Sequence, residues 1–497
     1  MERVFLKLIL KSQTSYSTAF YLAVLSIISV ITYILVSHFY FRIGFPLDDS
    51  WIHQTYARNL AVSGEWTFLP GEISGGSTSP LWTAILSVGY LLKISPFIWT
   101  FGMGILVLWG VANLVENTIR RLIASYHSVF PWIGFLIIFE WHFTWAAASG
   151  METLLFSALV MWVLFSLIEE TPHYLKVGIL IGISIWIRPD GLTLLGPVFM
   201  VSILNKTPFK RQLINIGKII IGFGGVFSFY LLFSLALAGT PWPTTFYAKQ
   251  AEYEILSNIF FMERLGEISV QLLVGIGSIL IPGYILMMND AIRKRKLGYL
   301  ASFFWILGML VIYAWRLPVV YQHGRYLIPS MLVFISYSCI GMMDYLQKKY
   351  QGWQWVIEKT WIFGIGIILI IFWGYGAVVY ARDIAIIETE MVDSATWVSM
   401  NIPEEAIIAA HDIGALGYFG NHRIVDLAGL ISPEVIPFLR DEVHLAEFLD
   451  AQNVNYLITF PDWYPLLSSG LSEIYSTQGR FAPLFGGENM IIYRWSD

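Results

Sequence analysis

Charge is scarce in this sequence. Asp, Glu, Lys and Arg make up 13% of its 497 residues, against about 25% in a typical soluble domain. Hydrophobic residues make up 56% and aromatic residues 16%, and the mean hydropathy is +0.64. That balance excludes an ordinary soluble domain and points to a polytopic membrane protein. Cysteine is almost absent: Cys339 stands alone in an apolar run. No disulfide framework can form, and a lone cysteine in that setting reads as a small buried hydrophobe. HExxH, CxxC and D-x-D spacings are missing too. A divalent metal on Asp48, Asp49, Glu152 and the histidines stays open as an alternative. No nucleic-acid partner is expected.

Long apolar runs are abundant. Residues 19–41, "AFYLAVLSIISVITYILVSHFYF", are long enough to cross the ~30 Å hydrocarbon layer of a bilayer. Lys7 and Lys11 precede this run and no A-x-A cleavage site follows, so it reads as a retained signal-anchor. Spans must satisfy their backbone internally, so they are helices. They are expected at 19–39, 97–118, 129–147, 151–168, 174–187, 192–204, 214–237, 268–289, 298–315, 326–343 and 361–380. Basic segments at 120–121, 206–211, 293–296 and 348–349, with the basic N-terminus, mark the cytoplasmic face. All fall on one side only if the ambiguous run 80–94 lies along the surface. The expected architecture is therefore an α-helical polytopic protein of about eleven transmembrane helices. Its first outer loop covers 40–96.

The ends of the chain differ in charge. Residues 383–497 hold 17 Asp/Glu and 4 Lys/Arg, whereas the whole chain carries only −5. Strand-like runs at 406–410, 423–430, 454–460 and 490–495 flank a helical run at 444–453. The expected division is a membrane domain over 1–382 and an extracytoplasmic α/β domain over 383–497.

Under this topology the unusual polar motifs gather at the outer membrane edge. The first is "GFPLDDSWIHQTYARNL" (44–60). A helix start there needs one N-cap, so one aspartate is spare. Asp49, followed directly by the helical pattern, is the expected cap. Asp48, one residue outside, is the expected general base on an acceptor hydroxyl. Arg58 lies further along the same helix, as a snorkelling residue or a phosphate contact. "GGSTS" (75–79) reads as a linker or a weak anion loop. Glu152 in "SGMET", Arg188 and Asp190 in "RPDG", Lys249 in "TTFYAKQ", and His323 and Arg325 in "QHGRY" complete the set. Cations facing a membrane-edge cavity would neutralise a phosphate leaving group. In the tail, His411, Asp412 and Asp426 read as turn and strand-end residues. Trp463, Tyr464 and Tyr418 are aromatic groups suited to core packing or to stacking on sugar rings.

The pattern "DDSWIHQTYARNLAVSGEWTFLPGEISGGSTSPLW", with "SGMETLLF", "RPDG", "TTFYAK", "HGRY" and "DIGALGYFGNHRIVDLAGL", resembles the polytopic GT-C-type glycosyltransferases. It is most similar to the mycobacterial-type terminal arabinofuranosyltransferases and their bacterial relatives. The resemblance covers most of the chain. It implies transfer of a sugar from a polyprenyl-phosphate donor to an extracytoplasmic glycan, lipid or protein acceptor among membrane lipids. It also implies an essential aspartate at Asp48 or Asp49. A rival reading, a transporter or flippase for a lipid-linked or anionic substrate, predicts charges through the membrane depth. Few residues besides Glu140 fit that pattern.

Overall fold

The structure, a computed structural model, describes residues 2–348 and 351–496, with side chains from Ser17 onward. Lys7, Lys11 and Lys349, used above for orientation, lie outside the described side chains. Each expected span contains an apolar helix. Among the described residues six helices are long and apolar enough to cross a membrane, or seven if one bent pair is a single span.

Three expected spans are interrupted. The run 129–147 forms two helices, Trp132–Phe139 and Trp141–Ala148. Glu140 between them is extended, and its carboxylate accepts the His142 and Phe143 N–H groups, capping the second helix. The run 268–289 is broken between Phe261–Gln271 and Ile276–Arg293, which meet at 96°. Gly275, at φ 74, makes that corner, a conformation that favours glycine. The run 192–204 begins as a 3-10 turn, Pro189–Leu194, before the helix Leu195–Leu204. Residues Pro80–Leu91 are helical as well.

The tail contains a five-stranded sheet. Its strands are β1 (Ile407–Ala410), β2 (Arg423–Asp426), β3 (Tyr456–Thr459), β4 (Ser472–Ser476) and β5 (Ile491–Arg494). The order is β2-β1-β3-β5-β4. Strands β2, β1 and β3 are parallel, and β5 and β4 add antiparallel. The helices Gly414–Phe419 and Glu442–Ala451 lie on the connections that parallel pairing requires.

The tail is not a separate bead. The expected boundary at 382/383 falls inside the helix Trp353–Ile387, which continues through a π turn (Glu388–Val392) into Asp393–Asn401. Phe45, Trp51, Tyr56 and Phe68 of the first loop share one buried core with Ile408, Ile413, Leu416 and Ile458 of the tail. Each large apolar side chain buried this way contributes about 1.5–3 kcal/mol. Loop and tail are therefore fixed to each other, and the site lies beside their junction.

Candidate active site

The loop helix Asp48–Ser63 starts after Pro46 and an extended Leu47, and it ends at Gly64, whose φ of 73 suits a glycine C-cap. Consecutive residues on a helix point about 100° apart. Asp48 and Asp49 therefore face different neighbours. Asp48 turns to the tail: its Oδ2 accepts the Gly414 N–H at 2.6 Å and its Oδ1 the Ala415 N–H at 2.8 Å. Burial, together with the Asp412 carboxylate, pushes Asp48 up from the usual carboxylate range, while those two N–H groups pull it down.

Asp49 turns to the membrane domain. Its Oδ2 lies 2.5 Å from Arg325 Nη2 and 3.6 Å from Lys249 Nζ. The expected placement of the two aspartates is thus reversed. No side chain caps the loop helix, whose N-cap is Leu47. The free first-turn N–H groups of the tail helix Gly414–Phe419 hold Asp48, which leaves Asp49 to face the cations. Burial opposes ionisation of Asp49, but Lys249 and Arg325 outweigh it and hold its pKa well below the usual range. Asp49 in turn raises Lys249 against the effect of burial.

These groups line a cavity of about 400 Å³. Tyr326 stands among the cations: its hydroxyl accepts from Lys249 Nζ at 3.1 Å and Arg325 Nη2 at 3.0 Å. The Arg188 guanidinium lies over its ring at 5.1 Å. Arg188 is itself held by Glu152 at 3.3 Å and Asp190 at 3.0 Å. Tyr313 donates to Asp190 at 2.9 Å. His53 Nε2 lies 3.3 Å from Glu152 Oε2. Four cations in the lining (Arg188, Lys249, Arg316 and Arg325) face three carboxylates (Asp49, Glu152 and Asp190). One positive charge is in surplus. Arg325 is only 4% exposed, and its Nε and Nη1 atoms have no hydrogen-bond partner in the protein. Phe246, Ile312, Trp315 and Leu317 form an apolar wall. The arrangement can hold an anion beside a carboxylate, next to apolar surface.

Besides Asp48, two expected site residues lie outside the cavity lining. Arg58 donates to the Tyr418 and Gly417 carbonyls at 2.6 and 3.1 Å, where it neutralises the C-terminal end of the helix Gly414–Phe419. His323 contacts Asp383 at 2.7 Å and packs between Trp141 and Trp145, at 5.4 Å from each ring. It nevertheless belongs to the turn that delivers Arg325. Gln322, His323 and Gly324 are all left-handed, at φ 54, 58 and 61. The two non-glycine residues cost about 1–2 kcal/mol each in that conformation, and strain of this kind clusters at functional sites.

Asp426 accepts the Ala428, Leu430 and Ile431 N–H groups, as a turn residue. His411 contacts the Tyr464 hydroxyl at 2.8 Å. Trp463 is 47% exposed, whereas Tyr418 packs on Trp51. Gly76 and Thr78 of the glycine-serine stretch do line the cavity. Among the described residues no three His, Cys, Asp or Glu side chains converge as a metal site. Sequence reasoning missed His53, Tyr313, Arg316 and Tyr326. Two signals were available. His53 is four residues after Asp49 and so shares its helix face, and Tyr326 directly follows Arg325.

Residues 382–493 match the family described as a domain of unknown function (DUF8728). No curated protein matches the chain in sequence. Solved structures match over most of its length. ArnT from Cupriavidus metallidurans in the apo state is 11% identical, with a TM-score of 0.58 over 96% of this chain and 98% of that one. The same protein bound to undecaprenyl phosphate is 10% identical, with a TM-score of 0.56 over the same shares. The archaeal oligosaccharyltransferase AglB from Archaeoglobus fulgidus, in complex with an inhibitory peptide and a dolichol-phosphate, is 11% identical. Its TM-score is 0.58 over 91% of this chain and 70% of that one.

Proposed function

We propose that this chain, whose fold is that of the GT-C glycosyltransferases, is a membrane glycosyltransferase. It transfers a sugar from a polyprenyl-phosphate donor to a hydroxyl of a glycan, lipid or protein acceptor on the extracytoplasmic side. The observation that carries this reading is the placement of Asp49 against Arg325 and Lys249 in a cavity with one apolar wall. Solved relatives of the same fold bind undecaprenyl phosphate and a dolichol-phosphate. The basic segments on the opposite side of the membrane support the extracytoplasmic orientation.

In this reading the donor phosphate competes with Asp49 for Arg325 and Lys249. Arg188 is already paired with Glu152 and Asp190, so it serves as scaffold more than as charge reserve. Phosphate binding frees the Asp49 carboxylate from its ion pairs and raises its basicity. The acceptor oxygen then attacks the anomeric carbon while its proton passes to Asp49. The bond from that carbon to the phosphate oxygen breaks. The lipid phosphate leaves with its new charge on Arg325 and Lys249. The lipid chain keeps to the apolar side, which explains why the chemistry sits at a membrane edge. The tail, joined to the loop, assists the acceptor, with Trp463 as an exposed aromatic platform.

The test is incubation of the purified full-length protein with a panel of polyprenyl-phosphate sugars, following release of the polyprenyl phosphate. Consumption of one donor by the wild type and not by Asp49→Asn supports the reading. Equal turnover by both proteins rejects it.

A further inference from the structure

The helices Tyr174–Ile187 and Phe209–Ala238 touch along their backbones. A Cβ on Gly178 would overlap the Ile219 carbonyl, and one on Gly222 the Leu175 carbonyl. Such small-residue crossings are how membrane helices approach closely. Both helices begin at the same membrane face, and between their first turns lies a second cavity of about 1150 Å³. The helix Tyr174–Ile187 has 14 residues, a rise of ~21 Å. Arg188 of the catalytic cavity stands at its far end. The two cavities therefore open on opposite sides of the protein.

The second cavity is lined by Lys176, Lys210, Arg211 and Lys218, with Asn215 between the last two. Arg211, Asn215 and Lys218 follow i, i+4, i+7 spacing and share one helix face. Lys218 lies nine residues into the helix Phe209–Ala238, a rise of ~13 Å. Lys218 is exposed and lies four residues into the span expected from 214, close enough to the membrane edge for its charge to reach the headgroup layer. In each of the other basic loops at least one cation is paired internally, although Arg121, Arg293 and Arg295 are in no ion pair among the described residues. Arg120 pairs with Glu116, Lys294 and Lys296 with Asp290, and Lys348 with Asp344. Among the described residues no ion pair includes Lys176, Lys210, Arg211 or Lys218, and Glu170 is the one carboxylate in the lining. Lys176 is oriented by the Trp162 ring, 4.7 Å from its Nζ. The Tyr174 hydroxyl, buried in the same wall, faces Asn205 without a hydrogen bond of normal geometry. Neither helix start is capped by a side chain, so both dipoles present their positive ends here. Leu175 and Ile214 line the cleft and are exposed, and they offer apolar surface to acyl chains.

We infer that this cleft binds the phosphate headgroup of an anionic membrane lipid. It is a site on the side of the protein opposite the catalytic cavity. Four unanswered cations, polar walls that descend into an apolar helix pair, and apolar flanks match a phosphodiester with its chains in the bilayer. A basic pocket between membrane helices is the recognised form of such a site.

The test uses the full-length protein, stripped of lipid in a neutral detergent. It is titrated with dioleoylphosphatidylglycerol and, separately, with dioleoylphosphatidylcholine, and bound lipid is counted by native mass spectrometry. Each of Lys176→Gln, Arg211→Gln and Lys218→Gln should weaken phosphatidylglycerol binding about fivefold, and the triple variant about a hundredfold. Arg293→Gln, in another basic loop, should leave binding unchanged. The single variants keep the test open if the triple variant fails to fold. Equal binding of the two lipids would overturn the inference. So would an Arg293→Gln effect as large as that of Lys218→Gln. Displacement of phosphatidylglycerol by millimolar inorganic phosphate would assign the cleft to soluble phosphate and reject the lipid.

Discussion

Asp48 and Asp49 are consecutive, and their carboxylates hold two different parts of the molecule. Asp48 receives the first N–H groups of a tail helix. Asp49 receives the guanidinium of Arg325, 276 residues further along the chain. One helical step separates a structural acid from a candidate catalytic one.

The two should therefore respond differently to the same substitution. Asp49→Asn should fold normally and lose two to four orders of magnitude in turnover, roughly the contribution of a general base. Asp48→Asn places an amide donor against the N–H groups of Gly414 and Ala415. It should cost about 1–3 kcal/mol of stability for an unsatisfied buried group and reduce turnover less. Thermal unfolding and turnover of both purified variants decide this. A stable, fully active Asp49→Asn enzyme would end the mechanism drawn here.

The pH profile should report the ion pairs around Asp49. Lys249 and Arg325 hold its folded pKa below its unfolded value, which is about 3.9. The stabilisation from that shift is complete above the unfolded value and is lost as pH falls through the folded one. Lys249→Met removes one cation, so the acid limb of kcat/KM should move to higher pH. Donor KM should rise in the same variant. An acid limb that stays in place would mean that another group controls the profile.

The left-handed turn before Arg325 offers a stability test. Gln322 Oε1 has no hydrogen-bond partner, and Gln322 has φ 54. Gln322→Gly should raise stability by about 1 kcal/mol, because glycine adopts that conformation without the steric cost. His323→Ala removes the Asp383 contact and should weaken donor binding through Arg325, with a smaller effect on the chemical step. Thermal midpoints and donor titrations check the two outcomes. A lower midpoint for Gln322→Gly would contradict the strain argument.

Topology is open to labelling. Cys339 is fully buried, so single introduced cysteines report cleanly. Glu72→Cys and Ser469→Cys should react with an impermeant maleimide from outside intact cells, and Lys294→Cys should not. Outside labelling of Lys294→Cys would invert the assignment of faces.

The helices were legible because the bilayer permits few other backbone solutions. Their breaks were not. Glu140 interrupts a span as an acidic cap inside an apolar run, and Gly275 turns a corner that hydropathy averages away. Strands β1, β2, β3 and β5 carry apolar residues and were readable. Strand β4 is an exposed edge, "SEIYS", without the alternation that marks a strand. The cations and acids of the site were visible as residue types at one membrane edge. Which aspartate faced them was not, because the partner of Asp48 comes from Gly414 and Ala415, more than 360 residues away. Local capping logic cannot register a contact of that range.

The helix Trp353–Ile387 has 35 residues, a length of ~52 Å against a hydrocarbon layer of ~30 Å. It does not hand over to a linker but runs on through a π turn to Asn401. Near the end of that helix, Asp383 is gripped by Trp145 and His323. The tail is thus mounted on a stiff post, guyed to the membrane body close to the turn that carries Arg325. A mount of this kind does not swing like an arm that fetches cargo. For the transfer proposed above, an acceptor would then have to reach the cavity by its own bending, not by a swing of the tail.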